Sequence, residues 1–342
     1  MNRNLGIVLL CLLTAIIMGI VGCSENSTTG GGGEGGAFAG VDFAGFIDLV
    51  EEITPPAYNG PAQTPVGETD SAWIAGDYPL LGKVFSEDEP MSVYTNVANL
   101  DTFLTQISAM SSYIEDVENA GDTVVTLGGQ QNFTLELVNL ESATVIPAQY
   151  DSVFWPRSVE LDQVIKLEQG GSDNPYSMHC GYSLSETSQT VLIYHSMSDG
   201  TVDESSLFYA HVNLIDSSIV IRGVFYKDNG DNTTDSWVYS IFTYEEVDFG
   251  YRMSWHADNQ LSLLGCIVGG GNKDDQFALL YRQFSPADTA VWDSSYVLDQ
   301  IFDADYNLLP LPEYGLGTAV YEGDIFTIED MPTALIVSPW AE

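Results

Sequence analysis

The chain has 342 residues, 45% of them hydrophobic and 11% aromatic, with 9 basic residues against 49 acidic ones and a formal net charge of −40. That imbalance excludes nucleic-acid binding, which needs clustered cations to displace counterions, and electrostatic docking on anionic lipid. The hydrophobic content is enough to bury a substantial core, in one large domain or two small ones.

The N-terminus carries the sharpest local signal. Arg3 precedes an uncharged, mostly apolar run from Leu5 to Val21, which ends in Ile20-Val21-Gly22-Cys23. A basic head, an apolar core and a small residue before the cut describe a secretory signal. With Cys23 directly after that small residue, the segment resembles a bacterial lipoprotein signal whose lipobox is Ile20 to Cys23. The resemblance implies that residues 1–22 are removed and that Cys23 is linked to diacylglycerol and then acylated. It also implies a lipid-anchored protein of the bacterial cell envelope. Ser24, standing where an Asp would signal retention in the inner membrane, implies the outer membrane. An uncleaved transmembrane helix is the competing reading, but the apolar run lies at the lower edge of spanning length.

Ser24 to Gly36 (SENSTTGGGGEGG) lacks apolar side chains and cannot offset the entropy of ordering. Together with Cys23 it forms a tether over 23–37, with a reach of about 20 Å. Residues 38–342 read as a single β-rich globular domain. A short helix is predicted from Asp42 to Ile53, with Phe43, Phe46, Ile47 and Val50 on one face, stopped by Thr54-Pro55-Pro56. Residues 55–82 are rich in Pro and Gly and read as a loop.

The strongest periodicity follows. Pro90 suits a first helical turn, and apolar residues then fall at Val93, Val97, Leu100, Leu104, Ile107, Met110, Ile114 and Val117. The spacing predicts one long amphipathic helix over about 90–118, closed by Asn119-Ala120-Gly121. After Gly121 short runs rich in Val, Ile, Tyr, Phe, Thr and Trp alternate with Gly, Asn and Asp turns. Strands are predicted at 122–128, 132–139, 143–148, 158–168, 176–184, 189–197, 206–215, 218–227, 236–245, 249–256, 260–268 and 276–284. Short loops make them an antiparallel meander, with hairpin tips at Asp228 to Asn232 and Gly271 to Asp274. Beyond 285 the pattern weakens, with another turn at Asp303 to Asn307 and further strands towards Trp340. In 236–244, Trp237, Tyr239 and Ile241 alternate with Val238, Phe242 and Tyr244, so neither face can lie in water. The expected class is α+β, predominantly antiparallel β: a curved sheet or half-barrel with the long helix on its concave side.

Candidate chemistry is sparse. Helix plus meander on an anchored protein is similar in architecture to helix-plus-half-barrel carriers of the lipoprotein-localisation type, which implies an apolar ligand held near Leu100, Leu104 and Ile107. Arg222, Arg252 and Arg282 recur every 30 residues inside predicted strands, and there need carboxylate partners or an anionic ligand. Cys180 and Cys266 are the two thiols left outside the signal and the lipid anchor, and are expected to form a disulfide. His179 beside Cys180, or His195 with His211 and His256 or Glu204, offer weaker metal alternatives. Asp228, Asp231 and Asp235, and separately Asp303, Asp305 and Asn307, are oxygen-rich turns that admit calcium, although turn chemistry alone explains them. The adjacent carboxylates Glu51-Glu52, Glu245-Glu246 and Asp274-Asp275 sit in no hydrolase, protease or phosphate-binding motif. The acidity fits a saline habitat better than cation binding, because the acids are spread along the whole chain.

These features point to a non-catalytic structural or binding role at the cell envelope, with an envelope protein or an apolar ligand as partner. A carrier of lipid is the second reading and a carbohydrate-active or other hydrolase the third.

Overall fold

The computed structural model describes residues 48, 50, 92–98, 100–101, 122–127, 131–140, 142–147, 150, 155–169, 175–244, 247–257, 260–269, 276–284, 298–302, 308–309 and 331–340. The signal, Cys23 and the tether lie outside these residues, as do Leu104 and Ile107.

The strands run β1 (Asp122–Leu127), β2 (Gln131–Asn139), β3 (Thr144–Val145), β4 (Ser158–Val159), β5 (Gln163–Gln169), β6 (Tyr176–Leu184), β7 (Ser188–Ser198), β8 (Asp203–Asn213), β9 (Ser218–Asp228), β10 (Thr234–Tyr244), β11 (Val247–Ala257), β12 (Gln260–Gly269), β13 (Gln276–Phe284), β14 (Leu298–Phe302) and β15 (Leu308–Leu309). Thirteen of them form one open antiparallel sheet in chain order, interrupted only where β3 and β4 pair with each other. The meander expected from short loops is therefore present, and the expected 158–168 strand divides into β4 and β5. β14 and β15 pair through Ile301 and Leu309 on either side of the expected 303–307 turn, which itself lies outside the described residues.

Turn residues set the register. Gly230 has φ +75° and Asn232 φ 66° at the β9–β10 tip, a conformation that favours Gly and Asn. Ser217 holds φ 58° at the β8–β9 turn, where Asp216 Oδ1 accepts the Ser218 N–H at 2.9 Å.

Both faces of the central strands are covered. On one face, the register aligns Val191, Ala210, Ile221, Ile241 and Tyr251 in a single cross-strand row, and all are buried. The helix lies against this face. Residues 93–98, 100 and 101 are helical, Val93, Val97 and Leu100 are buried, and Asn96 Nδ2 donates to the Tyr251 hydroxyl at 2.9 Å. The rest of the expected helix, from 102 onwards, lies outside the described residues. Of the expected 42–53 helix, residues 48 and 50 are described and helical.

The opposite face is covered by two segments. The excursion between β2 and β5 folds back over it, and the chain end at 331–340, here called the strap, crosses it. Ile146, Tyr150, Trp155, Val159, Leu161 and Ile336 from these segments share one core with Leu192, Leu207, Tyr209, Val224 and Val238. Burial of nearly every position in β9 follows from this double cover.

The expected Cys180–Cys266 bridge is not formed: Cys180 is a buried free thiol. Its strand, β6, stands six positions from β12 in the sheet order. At about 4.8 Å per strand that is roughly 29 Å along the sheet, far beyond the reach of a disulfide.

Candidate functional site

The strap is the most densely tied segment on its face. Ile336 N donates to Ser205 Oγ at 2.7 Å, Trp340 Nε1 to Thr144 Oγ1 at 3.1 Å, and Lys166 Nζ to the Trp340 carbonyl at 3.3 Å. Its indole occupies space that only a glycine leaves: a Cβ added at Gly181 would stand 2.7 Å from Trp340 Cζ2 and 2.6 Å from Leu161 Cδ1.

His179 is the polar hinge of this contact. Its Nε2 meets Glu168 Oε1 at 2.8 Å and its Nδ1 meets Ser338 Oγ at 2.9 Å. Ser338 Oγ also accepts the Trp340 N–H at 3.1 Å. A neutral ring that donates from Nε2 to the carboxylate and accepts the Ser338 hydroxyl at Nδ1 satisfies every group. Burial lowers the His179 pKa, and the hydrogen bond to Glu168 opposes that shift. Between the strap and the β3–β4 excursion lies a cleft of about 360 Å³, lined by Pro147, Tyr150 and residues 331–337.

The arginines are partly gathered. Arg222 and Arg252 stand in one register row, on either side of Ser240. Arg282 is one row over, aligned with Ser254 through Leu263. Arg222 and Arg252 are buried. The Arg222 guanidinium lies over the Trp155 ring at 5.6 Å, and Trp155 in turn packs on Tyr209 at 6.1 Å. Burial pushes the Tyr209 hydroxyl up to about 12. Arg222 and Arg252 each make further interactions, so the pair reads as a held structural element of the strap face.

The other sequence candidates separate. Thr190, not His195, lies opposite His211, and His195 pairs with Ser206. Successive strand residues alternate faces, so the two histidines project from opposite sides. The same alternation parts His179 from Cys180. His195 is buried on the helix face, packed edge-on against Tyr176 at 5.1 Å, and burial lowers its pKa to about 4. Around the β9–β10 turn Asp228 and Asp231 accept the backbone N–H groups of Gly230 and Thr233, and Asp235 accepts from Asn229 Nδ2. Those carboxylates close the turn. Leu100 is buried in the helix, 1% exposed.

Three features escaped the sequence. The strap was only a weak continuation of the strand pattern, and its single signal was Trp340 near the chain end. On the helix face Phe225 and Trp237 stack at 3.7 Å with their planes 17° apart, and Glu204 lies opposite Lys227 in register. Burial raises the Glu204 pKa, and Lys227 opposes that shift.

No protein-family model matches the chain, and neither a curated protein nor a solved structure matches it significantly.

Proposed function

We propose that this chain is a lipid-anchored protein of the bacterial cell envelope, attached through Cys23 to the outer membrane, whose tethered domain binds another envelope component and is not an enzyme. The domain is a half-barrel that curls round the long helix. The observation that supports a binding rather than a carrier role is that, among the described residues, the protein's own side chains bury both faces of the central strands. The row from Val191 to Tyr251 is buried, and Asn96 reaches Tyr251 across it. A lipid carrier needs continuous apolar volume between helix and sheet, and among the described residues Asn96 and Tyr251 meet directly there. On the opposite face Trp155 is fully buried over Arg222.

Two measurements test this. Native mass spectrometry of the detergent-released chain, with organic extraction of whatever co-purifies, should give the acylated mass alone. A stoichiometric lipid beyond the anchor would move the carrier reading into first place. Separately, Cys23→Ser should block fatty-acid incorporation and release the protein from the membrane. Unchanged labelling and retention would remove the anchor.

A further inference from the structure

Three buried hydrogen-bonding groups on the strap face find no partner among the described residues: the Ser240 hydroxyl, the Ser254 hydroxyl and the Trp155 indole N–H. Their residues are 0%, 1% and 0% exposed, so bulk water does not serve them. Each unpaired group carries a desolvation cost, and three in one neighbourhood call for a common explanation. The register puts them beside the two buried arginines. Ser240 stands between Arg222 and Arg252 in one cross-strand row. Ser254 follows Arg252 on the same face of β11, which makes it the diagonal neighbour of Ser240, with Cβ atoms about 7 Å apart. One ion with hydrogen bonds of about 3 Å on each side bridges that span. Trp155 lies over Arg222, its ring centroid 5.6 Å from the guanidinium carbon. Guanidinium and indole N–H groups can only donate. Across β7 to β11, neither this row nor the next, from Tyr194 through Val238 to Ser254, supplies a carboxylate. Arg222 and Arg252 make further interactions, but those leave the two hydroxyls and the indole unmet.

We propose that the corner formed by Arg222, Ser240, Arg252 and Ser254 is a site for one small monovalent anion of the chloride or bromide kind. Both serine hydroxyls donate to it, and the two guanidiniums supply the positive charge that holds it in a dry interior. A halide only accepts hydrogen bonds, whereas water would bring two hydrogens of its own to a corner built mainly of donors. Enclosure sets the size and charge of the occupant. The four residues are at most 3% exposed, so a large or doubly charged anion meets a much steeper cost of dehydration. The small side chains of Ser240 and Ser254 leave the room between the long arginines that an ion of this size takes. The site goes beyond the partner-binding role proposed above and does not depend on it.

The test follows thermal unfolding of the full-length chain in detergent at one fixed ionic strength, which keeps the screening of its acidic surface constant. Sodium chloride or sodium bromide replaces sodium fluoride, whose anion is too strongly hydrated to enter. Chloride and bromide should raise the midpoint, saturating with concentration as a single-site ligand does. Ser240→Ala and Ser254→Ala should each raise the half-saturating chloride concentration about tenfold, while the midpoint in fluoride stays at or above the wild-type value, because deleting an orphan hydroxyl relieves a cost. Crystals soaked in bromide should give one anomalous peak within hydrogen-bonding distance of both serine hydroxyls. Equal midpoints in all three salts, a halide effect untouched by both serine variants, or bromide bound only elsewhere would overturn the site.

Discussion

The two faces of the sheet solve the same burial problem differently. The helix face is closed by a regular helix through Val93, Val97 and Leu100, with the Asn96–Tyr251 hydrogen bond crossing it, and buries His195, Glu204 and Lys227 within the sheet. The strap face is closed by a hairpin excursion and a chain end, and carries Arg222, Arg252, His179, Ser240 and Ser254 among its buried residues. A periodic helix can cover a sheet with side chains alone. Irregular segments bring unpaired backbone groups and must satisfy them with polar side chains from below, as Ser205 does for Ile336. Both faces bury polar groups, but only the strap face depends on individual contacts from irregular covering segments.

Trp155→Ala should break the strap face most severely. The ring is fully buried and touches Tyr150 at 5.7 Å, Tyr209 and Arg222. Loss of about 3–5 kcal/mol is expected from urea unfolding. On the helix face Ile221→Val removes one methylene from an equally buried site and should cost about 0.5–1.5 kcal/mol. If the tryptophan variant unfolds with a normal midpoint, the strap face is not an integral part of the core.

The helix face should instead reveal itself by pH. His195 falls from 6.5 to about 4 through burial. The folded state therefore resists a proton that the unfolded state accepts. Stability is full above pH 6.5, falls as pH drops towards 4 and levels off below it, for a total of roughly 3 kcal/mol. His179 and His211, on the strap face, are lowered in the same direction, so the helix-face share is the part of the slope that a change at His195 removes. His195→Gln should flatten the fall in urea midpoint between pH 7 and 5. A slope identical to wild type would mean that His195 gains access to water.

The difference between the faces also explains what the sequence disclosed. Alternating runs between turn signals located β6 to β13 to within about three residues at each end, because strand periodicity and turn chemistry are local. Apolar residues on both sides of β10 announced that neither face was wet. What covers the second face was not legible. The strap is Met-Pro-Thr-Ala-Leu-Ile-Val-Ser-Pro-Trp, whose role depends on Gly181 and Ser205, 159 and 131 residues away by the His179–Ser338 and Ser205–Ile336 contacts. The same limit misled the cysteines: counting thiols proposes a bridge, but only sheet order shows that β6 and β12 are remote. Arginine spacing did carry information. Thirty residues correspond here to two strands and their turns, which keeps Arg222 and Arg252 in one row.

Gly181→Ala tests the strap face without touching the helix face. The new methyl would collide with both Leu161 and Trp340, so the indole must leave its slot. A loss of about 1–3 kcal/mol is expected, with Trp340 fluorescence shifting to the red of a wet indole. Wild-type fluorescence would show that the strap accommodates the methyl by sliding.

The smallest effect sharpens the contrast furthest. Lys166 Nζ holds the Trp340 carbonyl from a half-buried position, and Lys166→Met keeps the aliphatic stem while deleting the donor. Global stability should fall by only about 0.5–1 kcal/mol, because the strap remains anchored by Trp340, Ser338 and Ile336. Local opening is the more sensitive readout. Amide exchange in peptides covering 336–340 should quicken about two- to fivefold, while peptides from β9 and β10 keep wild-type protection. Uniform acceleration across all of these would mean that the strap and the sheet open as one unit. Selective acceleration would establish the strap as a separately tied element, able to change its grip without disturbing the helix face.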